Sequence, residues 1–175
     1  MASISNCLQS RDFHIRDFRT KKYFEEKDQG WIFSDSPTMV LAASKPKSRF
    51  RLEWNDNEGT IAIYSLALGM RPMCFRCTRF GENYYNRFIF KENGEVVNFQ
   101  LITMASTGSS LVISLRGPGT KRLGIENEYF LTICRCNIPC ECNRGDKEAK
   151  FELISWWWEF HKQNHFKNQN PEYEM

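Results

Sequence analysis

Between residues 30 and 133 apolar and polar residues alternate with a period of two, and the helical period of three to four is absent from this stretch. The runs GWIFSDS, TMVLAAS, RFRLEW, GTIAIYSL, MCFRCTRF, RFIFKE, VVNFQLIT, SLVISLR and EYFLTI start about every ten residues, the cadence of an all-β sandwich or barrel. NDNEG at 55–59, ENG at 92–94 and RGPGTKRLG at 116–124 supply turn residues between them. With 175 residues, 41% of them hydrophobic and 14 of them Phe, the chain is long enough to close one sheet-rich core without metal or disulfide staples.

Two stretches echo each other. RFRLEWNDNEGTIAI at 49–63 and RFIFKENGEVVNFQL at 87–101 both place Arg-Phe, an alternating run, an acidic residue and Gly before a second run. Phe50 and Phe88 lie 38 residues apart, and Phe130 follows 42 further on. Units of about 40 residues, each too small to bury its own apolar face, predict a threefold closed barrel, a β-trefoil, over 29–135. Residues 1–28 read as a polar N-terminal arm, and 136–175 as a Cys-rich linker followed by a helix and tail. That helix is expected in GDKEAKFELISWWWEFHKQNHFKN, with Asp146 as N-cap and Phe151, Ile154 and Trp158 on one face. Trp156, Trp157 and Trp158 are expected to pack on the barrel, with membrane contact the lesser alternative.

Charge and chemistry narrow the function. The formal charge of +3 is too small to argue for nucleic acid, so any polyanion site must be a local patch. The seven Cys include CRCNIPCEC at 134–142, whose Cys-x-Cys spacing is poor for zinc and suits disulfides or reduced thiols. His14, His161 and His165 lie far in sequence from Cys74 and Cys77, so no Cys–His pair suggests nucleophilic catalysis. No phosphate-cradling Gly pattern precedes a helix. The reading is therefore a non-enzyme without cofactor or metal. Arg144-Gly145-Asp146 spells an integrin tripeptide, but Asp146 already serves as the expected cap. The opening MASISNCLQSRDFHIRDF carries no apolar signal segment.

From Trp31 to Ile133 the order of motifs resembles the fibroblast growth factors. FIFKE at 88–92 is similar to that family's Cys-x-Phe-x-Glu strand, with Phe88 in place of Cys. Phe99 stands at the family's spacing to its first receptor-surface Tyr. LVISLRGPGTKRLG at 111–124 resembles the aromatic strand and basic Gly turn, and YFL at 129–131 the closing Phe-Leu. EGTIAIYSL resembles the Gly-x-Val-x-Ile strand, and Met73 with Cys74 falls near Leu-Cys-Met. The strand Trp is replaced by Leu111, and the basic loop after Gly124 is shortened to the acidic IENE.

The resemblance implies a secreted ligand that binds and dimerises the ectodomain of a receptor tyrosine kinase. Glu92, Phe99 and Leu131 would then contact the receptor. Arg116, Lys121 and Arg122 would hold heparan sulfate weakly, because exposed ion pairs contribute about 0–1 kcal/mol each. Two other readings remain: an interleukin-1-like cytokine, and an intracellular trefoil used as a scaffold or binding module.

Overall fold

The computed structural model describes residues 8, 11–28, 37–43, 45–107, 110–119, 129–133, 139–140 and 149–155. Every element in them is a strand: β1 (Phe13–Asp17), β2 (Tyr23–Lys27), β3 (Thr38–Ala43), β4 (Phe50–Asn55), β5 (Thr60–Ser65), β6 (Arg71–Phe80), β7 (Asn83–Phe90), β8 (Phe99–Thr107), β9 (Ser110–Gly117), β10 (Tyr129–Phe130), β11 (Thr132–Ile133), β12 (Pro139–Cys140) and β13 (Phe151–Ser155). The all-β class read from the alternation is what the chain adopts.

Antiparallel pairing closes the sheet on itself. β1 pairs with β13, β13 with β9, β9 with β8, β8 with β5, and β5 with β4. The ring shuts where Phe13 of β1 meets Phe50 of β4. Closure removes most of the unpaired backbone rows that an open sheet would expose. The hairpins β2–β3 and β6–β7 branch from this ring and join each other at Thr38 and Ile89.

The strands close because alternate side chains share one interior. Phe13 and Ile15 of β1, Leu52 of β4, Ile61 and Ile63 of β5, and Leu115 of β9 all belong to one buried cluster. Phenylalanines tie the hairpins to the ring: Phe90 stacks on Phe50 with ring centres 5.9 Å apart, and Phe88 tilts against Phe99 at 5.8 Å. Each such side chain contributes about 1.5–3 kcal/mol through burial. A narrow void inside the barrel is lined by apolar groups such as Phe24, Leu52, Ile63 and Leu153, and offers a ligand no polar partner.

Local chemistry sets the turns. In NDNEG the Asn55 side-chain oxygen accepts the N–H groups of Asn57 and Glu58 at 3.0 and 3.3 Å, and Gly59 takes φ +67° where the chain reverses into β5. β6 and β7 are joined by two residues, and Gly81 at φ +63° occupies the first position that a primed hairpin turn reserves for Gly.

Several expectations need correction. The C-terminal helix does not form over 151–155: Phe151 to Ser155 are β13, hydrogen-bonded between β1 and β9. Phe151 and Ile154 are three apart and mimic a helix face. Here, however, all four residues from Phe151 to Ile154 are buried, because the strand is enclosed on both faces. Asp146 and the three tryptophans lie outside the described residues.

The N-terminal arm is likewise structured from Phe13 onward, since β1 and β2 fall inside it. The barrel thus runs from Phe13 to Ser155, across the expected boundaries at 28, 29, 135 and 136. The trefoil built on three phased copies is not supported by those copies. Phe50 opens a ring strand, Phe88 sits inside the β6–β7 hairpin, and Phe130 belongs to the two-residue β10 at the edge of β9. The echo compares a β4–β5 turn with a β7–β8 turn, which occupy different places in the barrel.

Candidate anion-binding hairpin

The β6–β7 hairpin and the residue that follows it carry a marked positive bias. From Arg71 to Lys91 the sequence holds Arg71, Arg76, Arg79, Arg87 and Lys91 against one acid, Glu82. That is net +4, one more than the +3 of the whole chain, so the remaining residues together are net −1. Glu92 and Glu95 follow on the next turn and bound the patch on that side.

Register brings two of these cations together. Eight antiparallel pairs run from Met73↔Phe90 to Phe80↔Asn83, and among them Arg76 lies directly opposite Arg87. Both are half-buried. Like charges placed directly across a strand pair cost about 0.2–1 kcal/mol, a cost that an oppositely charged group nearby offsets. Guanidinium groups present planar donor forks that match sulfate and phosphate oxygens, and they keep their charge at any physiological pH.

The hairpin is held rigidly beneath this face. Phe75 meets Phe88 edge-on at 5.3 Å, Phe88 rests on Phe99, and Phe90 on Phe50. At its base the buried Cys74 bridges to Val96, so the Lys91–Val96 turn folds back over the hairpin. The Lys91 N–H donates to the Pro72 carbonyl at 3.2 Å. Burial pushes the Cys74 thiol up, with nearby Lys91 opposing the shift, which makes this thiol a poor nucleophile at neutral pH.

The expected site residues are scattered. Glu92 is exposed on the turn after β7. Phe99 is 0% exposed and Leu131 4%; both are core side chains rather than surface anchors. Arg116 is half-buried in β9 opposite Gln100 and Phe130. Lys121, Arg122 and Arg144 to Asp146 lie outside the described residues. Arg76 and Arg87 are visible as basic residues within MCFRCTRF and RFIFKE, but a chain total of +3 hides such a concentration.

A second polar group is structural. The Ser48 and Ser65 hydroxyls both donate to the Glu26 carboxylate, the latter at 2.5 Å. His14 Nδ1 lies 2.9 Å from the Ser48 carbonyl oxygen, not from its hydroxyl, so the three residues form no proton relay. Among the described residues no cluster of three or more metal-ligating side chains occurs.

No family model matches the chain, and no curated protein matches it. Among solved structures it is similar to a complex of lysenin with phosphocholine, at 13% identity and a TM-score of 0.54. The match covers 85% of this chain and 45% of that one, so the chain spans less than half the length of its neighbour. The likeness concerns the fold. It replaces the fibroblast growth factor resemblance, which finds no support in any of these matches, and its receptor-surface positions Phe99 and Leu131 lie in the core.

Proposed function

We propose that the protein is a non-catalytic recognition module that binds sulfated polysaccharide through the β6–β7 hairpin. The observation that carries this reading is the concentration of net +4 between Arg71 and Lys91, with Arg76 opposite Arg87. The barrel interior is filled with apolar side chains, so recognition falls to the elements that branch from it. Heparan sulfate is the polyanion that the growth-factor resemblance implies; the patch that would hold a sulfated chain in this proposal lies on β6–β7 rather than around Arg116. A sulfated polysaccharide partner carries with it an extracellular setting. The receptor tyrosine kinase is not part of this proposal, because two of its three anchor residues are in the core.

Affinity is expected to be modest, since exposed ion pairs contribute about 0–1 kcal/mol each and weaken as salt screens them. On a heparin column the protein should be retained at low salt, and the double variant Arg76→Ala with Arg87→Ala should elute earlier. Passage of the unaltered protein straight through at low salt, or unchanged elution of the variant, would refute the reading. Lysenin's ligand, phosphocholine, contains a phosphate, which makes it the informative competitor. Competition by phosphocholine but not by heparin fragments would reassign the hairpin to phosphate monoesters.

A further inference from the structure

The second feature of the surface is an unusual absence of charge. From Val96 to Leu115, twenty residues contain no Asp, Glu, Lys or Arg, although 26% of the chain is charged. The stretch is bounded by Glu95 and Arg116 and contains no Pro. It contains β8 and most of β9.

Among the described residues, one side of β8 carries no paired strand beyond Gln100. Residues Thr103 to Thr107 pair with Ser114 to Ser110 of β9, whereas β8 pairs with β5 at Phe99 and Gln100 alone among the described residues. Along Thr103–Thr107 every second residue therefore turns its backbone N–H and C=O away from β9. Ile102 and Met104 are 36% and 37% exposed beside this edge, and Ala105 and Ser106 are exposed with them. Natural sheet edges are protected by Lys, Pro, inward charges or bulges. Here a register shift between Leu101 and Thr103 blunts the start of the edge, and Thr103–Thr107 themselves contain no Lys, no Pro, no charge and no further register shift.

We infer that this edge is the contact between two copies of the chain, related by a twofold axis and joined antiparallel through β8. Three properties favour a second copy. A neutral segment brings no like charges together when it faces itself, which a charged edge cannot avoid. An antiparallel pair of identical strands is self-complementary, so one contact satisfies both rows. The pairing also consumes both edges and ends there, where an uncapped edge would recruit strands without limit. The inference is independent of the anion-binding reading. If both hold, the dimer carries two basic hairpins, and a polymeric ligand that spans them gains avidity.

Sedimentation velocity of the full chain over a range of concentrations tests this. The unaltered protein should pass from monomer to dimer, and Met104→Lys, which sets two cations beside the shared edge, should remain monomeric with an unchanged far-UV spectrum. A monomer at every concentration, a dimer indifferent to Met104→Lys, or assembly beyond the dimer would overturn the inference. Hydrogen exchange on the unaltered protein gives a reading that needs no variant. Amides in 103–107 should exchange more slowly as concentration rises, and concentration-independent exchange there would count equally against it.

Discussion

Gly94 and Cys74 show how tightly one residue can be specified by another. A Cβ added at Gly94 would stand 2.5 Å from the Cys74 sulfur and 3.3 Å from Lys91, so the turn after β7 closes on the hairpin only with Gly at that position. Gly94→Ala should cost about 1–3 kcal/mol through overpacking. In a Cys74→Ala background the same change should cost less, because the sulfur is the closest obstacle. Urea midpoints of the four proteins in this cycle measure the coupling, and strict additivity would show that the two sites do not meet. Cys74 also titrates differently in the two states. Burial raises its folded-state value, so the neutral thiol's stabilisation is complete below the ordinary thiol value of about 8.5. It is lost as pH rises from there through the folded value. As pH rises above about 8.5 under reducing conditions, stability should therefore fall more steeply in the unaltered protein than in Cys74→Ala, and parallel curves would contradict this.

At the scale of elements, the ends of the described barrel are fastened by a charged clasp. Arg16 of β1 faces Glu152 of β13 in register, with Nε 2.5 Å from one carboxylate oxygen, while Lys21 Nζ lies 2.5 Å from the other. The Glu152 side chain is 5% exposed, and these two cations are its ion-pair partners in the interior. Glu152→Gln should lower stability by about 1–2 kcal/mol, less than a fully enclosed pair would cost because Lys21 is half-exposed. An unchanged urea midpoint would remove the clasp from the account. The same strand marks where sequence reading stops. The strands from β4 to β9 are announced by apolar and alternating runs with Gly or Asn in the sequence between them. FELIS in β13 is five residues buried on both faces, a length at which three-residue and two-residue spacings cannot be told apart. FHIRD in β1 does alternate, but it is short and set among charged neighbours that suggest an arm. Of the site, Arg76 and Arg87 were visible as residues, whereas their opposition depends on hairpin register, which the two-residue Gly81 turn fixes.

For the whole molecule, one physical division organises these findings. The ring of strands spends its apolar residues on a shared interior, and what distinguishes its surface is the separation of a cationic hairpin, β6–β7, from a neutral one, β8–β9. The first suits a polyanion and the second suits a copy of itself. Family-level likeness read from short motifs put Phe99 and Leu131 on a receptor surface because they match by spacing, while their side chains are buried in the core. The account's central claim is that the cationic hairpin grips an anionic polymer chiefly by charge. The most direct test is the affinity for heparin fragments titrated over a range of salt concentrations. Affinity should fall as a power of salt concentration, and replacing both Arg76 and Arg87 by Ala should make that slope shallower by about two released ions. Affinity indifferent to salt, or a slope unchanged by the double replacement, would contradict it.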